Sequence, residues 1–241
     1  LPGWDEPPGS GGAAPPHAFV VNLPSRTDRR HAIEAQMSRV GWPKDRLHFV
    51  DGIKGPFNGR NGCFGGHIAA LDAAQAKLDA IGEEVAIVFE DDWQWKSKSA
   101  LSALQAYLHK SGVPWDVLLL ACNGRPAVRV RAALRKSTRE AGHNGSRWAA
   151  GPLLHRVAWD YCLSSSAYAI KRKYIATLRT LWRHTLTERL RQKHRANTSS
   201  SLDVVWQQLQ CRDRWFLAAP MLGYQAASFS NIENRVIDYG L

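Results

Sequence analysis

Three consecutive acids, Glu90-Asp91-Asp92, follow directly on the apolar run Val85-Ala86-Ile87-Val88-Phe89. Carboxylates crowded at the end of a buried strand repel one another, and a divalent cation relieves that repulsion. In an extended chain Glu90 and Asp92 project to one side and can face one shared ligand. Oxygen donors of this kind suit Mn²⁺ or Mg²⁺, ions that commonly share their shell with substrate phosphates. The competing reading is a capping cluster before the next helix, which the distance to Ser97 weakens. A second apolar run ends in Asn22-Leu23-Pro24-Ser25-Arg26, and Arg26, Arg29 and Arg30 gather where that strand gives way to a helix. Such a position favours phosphate, although solvated arginines are the usual outcome of a cluster like this.

These groups need elements to hold them. The run Phe19-Val20-Val21-Asn22-Leu23 reads as a buried strand, followed by an amphipathic helix over 28–40 that Gly41 and Pro43 end. A second strand is expected at 47–50, a glycine-rich loop at 52–66 and an Ala-rich helix at 67–81. After the strand at 85–89, Ser97 or Ser99 caps a helix reaching about 111, and 116–120 is another strand. Residues 123–158 show no assignable pattern. A strand at 167–170 leads into a basic helix, then a polar loop at 191–201, a short helix at 202–210 and a strand at 215–218. From Phe229 onward the chain reads as a tail with little periodicity. Continuous apolar strands alternating with helices imply an α/β fold whose sheet is mostly parallel and covered on both faces. Ligands in such sheets bind beyond the carboxyl ends of the strands, where both motifs fall. The Pro/Gly-rich segment 1–17 is expected to be a flexible tail, and 18–241 a single domain.

The formal charge of +11 asks for an anionic partner or a solubility role. Residues 125–139 carry six basic side chains, and 171–195 carry nine against the single acid Glu188. The second stretch has Tyr174, Leu178, Leu181, Trp182 and Leu186 at helical spacing, so it reads first as a surface helix with a solvated basic face. Cys63, Cys122, Cys162 and Cys211 lack zinc-ligand spacing and are expected to be free, mostly buried thiols. No run of apolar residues is long enough to span a membrane. A cytoplasmic location is expected, with the secretory lumen as the alternative raised by the sequons at Asn144 and Asn197. Trp93, Trp95, Trp148 and Trp159 could stack on a sugar ring, though packing is the commoner fate, and Tyr168 is expected to pack.

Five motifs in order resemble glycosyltransferase family 25, the lipopolysaccharide and procollagen galactosyltransferase-like enzymes. Phe19-Val-Val-Asn-Leu-Pro-Ser-Arg-Thr-Asp-Arg-Arg is similar to that family's opening strand and turn, and Gly62-Cys-Phe-Gly-Gly-His67 to its Gly-x-x-x-Ser-His helix start. Val88-Phe-Glu-Asp-Asp92 is similar to its metal motif, and Ser165-Ser-Ala-Tyr-Ala-Ile170 to a later strand. Leu202-Asp-Val-Val-Trp-Gln-Gln-Leu-Gln210, Pro220, Gln225 and Ser228-Phe-Ser-Asn-Ile-Glu233 resemble its closing pattern, especially in the branch found in large DNA viruses. The resemblance implies a GT-A-type nucleotide-sugar-binding fold, a UDP-sugar donor, Mn²⁺ (or Mg²⁺), inversion at the sugar carbon and a glycan or protein acceptor. It implies Asp92 and Glu90 as metal ligands and Asn22, Leu23, Arg26, Arg29, His67, Glu90 and Asp91 as donor-site residues. Inverting transfer needs a base, and Asp203 is the expected one, with a helix cap as its bland alternative. Gly66 stands where the family has Ser, and Asn231 where it has Asp.

The rival from another class is a catalytically inactive binding protein of the same fold that docks on acidic partners. Nucleic-acid binding is not expected, because the basic residues lack any zinc, RNP or helix-turn-helix context.

Overall fold

Continuous apolar runs along the central strands, buried on both faces, decide the architecture. The computed structural model describes residues 14–54, 59–109, 113–123, 153–157, 162–191, 201–226, 228–230 and 235–237. Strands β1 (His17–Asn22), β2 (Leu47–Asp51), β3 (Val85–Glu90), β5 (Val117–Leu119), β6 (Leu153–Arg156), β7 (Ala167–Lys171) and β8 (Trp215–Ala219) form one sheet. Its order is β2-β1-β3-β7-β5-β8-β6. β1 runs parallel to β2 and β3, and β5 parallel to β8, while β7 and the edge strand β6 run against their neighbours. Five strands therefore share one direction, and the sheet is α/β and mostly parallel in the sense expected.

Successive residues feed opposite faces. Phe19, Val88, Leu119, Tyr168 and Ile170 enter one core, and Val20, Ile87, Phe89, Leu118 and Ala169 the other. The first face is covered by α2 (Gly59–Ile81), α4 (Arg172–Arg191), and the short helices α5 (Leu202–Val205) and α6 (Gln207–Arg212). The second is covered by α1 (Thr27–Arg39) and α3 (Ala100–Leu108), with Trp42, Trp93 and Trp95 filling between them. Burying each such large apolar side chain contributes about 1.5–3 kcal/mol. Trp93 and Trp95 are thus core residues rather than sugar platforms, and Tyr168 packs as expected.

The basic helix docks through its apolar stripe of Tyr174, Ile175, Leu178 and Trp182. Its arginines also pin it in place. Arg179 and Arg183 pair with Asp72 of α2, Arg172 reaches Glu84, and Arg189 donates to Asn61 Oδ1 at 2.9 Å.

Several expectations need correction. The 52–66 stretch is not all loop, because α2 already begins at Gly59. Its glycines let the helix lie against the sheet, since a Cβ on Gly66 would sit 2.7 Å from Val21 Cγ1. Close packing here overrides weak helix propensity. A short antiparallel pair, β4 (Trp93–Trp95) with β9 (Gly223–Gln225), was not foreseen. It requires Gly223, where any side chain would overlap the Trp93 ring and the Gln94 carbonyl. The supposed tail pairs Ser228–Ser230 (β10) with Arg235–Ile237 (β11), and β6 lies within the stretch left unassigned. The pair Cys122 and Cys162 is disulfide-bonded with a Cα–Cα distance of 5.4 Å, and Cys63 and Cys211 stand outside that bond. Forty residues separate the two partners in sequence, so spacing could not announce the bond. Among the described residues no helix is long and apolar enough to cross a membrane. Residues 1–13, Trp148, Trp159, both sequons, Asn231 and the whole 125–139 basic run lie outside the described residues.

Candidate active site

The parallel pairing of β1 with β3 sets Val21 beside Glu90, so the Asn22 turn and the acid triplet emerge at one edge of the sheet. The triplet then divides by direction, as an extended chain must. Asp91 turns toward α1, where its two oxygens accept from Asn22 Nδ2 and Arg29 Nη1, each at 2.7 Å. Glu90 and Asp92 turn the other way and share the Gln225 amide, whose Nε2 donates at 3.5 and 3.1 Å respectively. β9 carries Gln225 there, and the Ala226 N–H to Asp92 C=O bond of 2.8 Å fixes the approach.

Each acid has a different electrostatic fate. Burial is the largest single influence on Glu90 and would raise it. His67, Ser165 and Arg29 together outweigh that, and Glu90 stays ionised below its usual range. Ser165 Oγ donates to Glu90 Oε1 at 2.5 Å, and His67 Nε2 lies 3.3 Å from the same oxygen. Asp92 is only 8% exposed, and burial followed by the Glu90 charge pushes it up to about 7. Its Oδ1 is buried with no hydrogen-bond partner among the described residues. Arg29 compensates in part, with Nη1 at 3.3 Å from Asp92 Oδ2. A carboxylate pair whose members are driven apart, with one oxygen left bare, is short of positive charge. A divalent cation on Asp92 and Glu90 would supply it, and oxygen donors fit Mn²⁺ or Mg²⁺.

The remaining expected residues fall as follows. Arg26 does not reach the acids and instead forms two bonds to Asp28, 2.9 and 2.8 Å long, holding that carboxyl near 2. Leu23 contributes backbone, its C=O accepting from Arg26 N–H at 2.8 Å to close the turn. His67 is fully buried behind Glu90, between the Tyr168 and Trp182 rings, where it orients the Glu90 carboxylate. Asp203 lies on the β7 side, accepting from the Ser164 N–H at 3.0 Å and from Ser201 Oγ. Asp203, Glu90 and Asp92 all add, after burial, to the upward shift of the Cys63 thiol.

Sequence reasoning assigned no role to Ser164, Ser165, Gln225 or Cys63. Ser164 has a φ of 114°, a left-handed value that costs a non-glycine residue about 1–3 kcal/mol. That turn lets consecutive serines serve two acids, Ser164 for Asp203 and Ser165 for Glu90. Glu90 N–H donates to Ser166 C=O at 2.9 Å and ties the segment to β3. Gln225 and the Ser165 strand were visible as parts of motifs, but their roles depend on sheet pairing that no local pattern reveals.

Fold and site define an α/β protein with a cluster of acids flanked by Arg29 at the carboxyl ends of its parallel strands, an arrangement suited to a cation. No protein-family model matches the sequence, and no curated protein matches it. Among solved structures the chain is similar to a glycosyltransferase involved in the glycosylation of the major capsid of PBCV-1. That likeness has 11% identity and a TM-score of 0.48 over 84% of this chain and 81% of that one. It is also similar to a mannosyltransferase from Pyrobaculum calidifontis solved with GDP-Man and Mn²⁺, at 12% identity and a TM-score of 0.44, covering 92% of this chain and 61% of that one. A mannose-1-phosphate geranyltransferase from Thermus thermophilus is more distant, with a TM-score of 0.37 at 11% identity over 83% and 72% of the two chains.

Proposed function

We propose that the chain is a metal-dependent inverting glycosyltransferase of GT-A type, moving a hexose, galactose or glucose, from a UDP-sugar to a hydroxyl on a glycan or protein. The observation that carries the reading is the convergence of Glu90 and Asp92 on one amide, with Asp92 Oδ1 bare and buried beside Arg29. Asp92 and Glu90 would hold Mn²⁺, which as a Lewis acid stabilises the departing nucleotide diphosphate. Arg29, fixed by Asp91, offers a positive charge to the same phosphates. His67 and Ser165 keep Glu90 ionised and aimed, and Gln225 sets the distance between the two ligands. Asp203, held by Ser164 and Ser201, takes the proton from the acceptor hydroxyl.

The family-25 resemblance supports the donor assignment, as does the Asn22 turn at the sheet edge. The non-catalytic alternative drew support from Gly66, but packing against Val21 explains that residue without reference to activity. The Cys122–Cys162 bond favours the secretory lumen over the cytoplasm as the site of action. Calorimetric titration in Mn²⁺ tests the donor. UDP should bind more tightly than GDP or CMP, and a preference for either of the others would overturn the UDP assignment.

A further inference from the structure

Cys63 and His67 stand at i and i+4 on α2, one turn apart and on one face of the helix. That face meets Glu90 of β3. One ligand atom from each of Cys63, His67 and Glu90 lies within 4.8 Å of the other two. We propose that these three residues form a second cation site, selective for Zn²⁺ or a similar borderline-soft ion, that touches the donor-site cation position only through Glu90.

The ligand chemistry separates the two sites. Asp92 and Glu90 offer oxygen alone, whereas a thiolate, an imidazole and a carboxylate are a zinc set. Tetrahedral bonds of about 2.0–2.3 Å put neighbouring ligand atoms about 3.3–3.8 Å apart. His67 Nε2 and Glu90 Oε1 already stand at 3.3 Å. A ligating imidazole needs an outer partner on its other nitrogen, and Tyr168 OH lies 3.3 Å from Nδ1. Without metal Nε2–H donates to Glu90; on binding, the tautomer in which Nδ1–H donates to that hydroxyl frees the Nε2 lone pair for the cation. The Tyr168 and Trp182 rings lock the imidazole plane, stacked and edge-on respectively. Three protein ligands leave one tetrahedral position for water or an exogenous ligand.

Binding is coupled to a proton. Burial, then the charges of Glu90, Asp203 and Asp92, keep the Cys63 thiol protonated when no metal is present. As the metal–sulfur bond forms, the S–H proton passes to solvent. A simple Nε2–H to Glu90 hydrogen bond would account for the 3.3 Å distance as well, but it gives the thiol no part. The test therefore follows the sulfur.

Metal-stripped protein, kept reduced at its free thiols, is titrated with Co²⁺. The expected result is a near-ultraviolet thiolate-to-cobalt charge-transfer band that saturates at one ion per chain and is displaced by Zn²⁺ but not by equimolar Mn²⁺. Cys63→Ser should lose the band, while Cys211→Ser and Asp92→Asn should keep it. No band in the folded wild type, or a band that survives Cys63→Ser, overturns the proposal. Should Cys63→Ser fail to fold, Zn²⁺ protection of Cys63 from alkylation in the wild type decides the matter, and equal labelling with and without Zn²⁺ overturns it. The readout does not involve sugar transfer, so its failure leaves the donor-site reading standing, and the converse holds.

Discussion

Asp92→Asn should lower Mn²⁺-dependent sugar transfer by roughly 10³-fold or more without lowering the melting temperature of the metal-free protein. The rate loss follows from removing the bare Oδ1, since the several kcal/mol that a Lewis-acid cation supplies corresponds to about two to four powers of ten. The stability result follows from the sign of the proton linkage. The folded protein holds the Asp92 carboxyl at about 7, against 3.8 for the free group. A raised carboxyl contributes stability that is fully present below the unfolded value and is lost as pH rises through the folded one. In the metal-free wild type that loss runs from about pH 4 to about pH 7. Asparagine removes it and can still accept from Gln225. For the same reason wild-type Mn²⁺ affinity should fall by about tenfold for each pH unit below 7, because the cation displaces one proton. That slope should disappear in the variant. Full transfer activity in Asp92→Asn, measured in a chelator, would remove the metal assignment.

Asp203→Asn should lower transfer by about 10²-fold or more while leaving the affinity for UDP near wild type, the usual weight of a general base. In the proposed reading Glu90 and Asp92 hold the cation, while Asp91 is bound to Asn22 and Arg29. Asp213 accepts from Tyr174 OH at 2.6 Å, and Asp116 is bound to Arg214 at the far ends of their strands. Asp203 alone among these is tied to the segment that also holds Glu90, through Ser164 beside Ser165. It also has a structural role, accepting the Ser164 N–H and so supporting the left-handed turn there. Asparagine keeps an acceptor oxygen for that bond, so the variant should melt close to wild type. If Asp203→Asn transfers normally but melts several degrees lower, Asp203 is an anchor for Ser164 and the base lies elsewhere.

The elements that could be read in advance were those with strong local signals. The β3 run, the Asn22 turn and the apolar stripe of α4 announce themselves by periodicity, and β1 beside β3 is enough to bring Asn22 to Asp91. What stayed hidden depends on distant partners. The glycines of α2 look like a loop until Val21 is seen packed against Gly66. β4 and β9 are three residues each, too short for a period, and only their pairing delivers Gln225 to Glu90 and Asp92. Arg26 has a local partner as well. Its position in the motif pointed to phosphate, yet the nearest acid, Asp28, holds it. The antiparallel entry of β7 beside β3 is likewise invisible locally, and it is what turns Ser164 and Ser165 toward the two acids.

The most direct measurement is release of UDP from UDP-galactose and UDP-glucose by the purified wild-type chain, followed with Mn²⁺ and again in EDTA. The account predicts cleavage of at least one of the two donors with Mn²⁺ and none in EDTA. Donors that bind but stay intact, or cleavage that proceeds equally in EDTA, would contradict it.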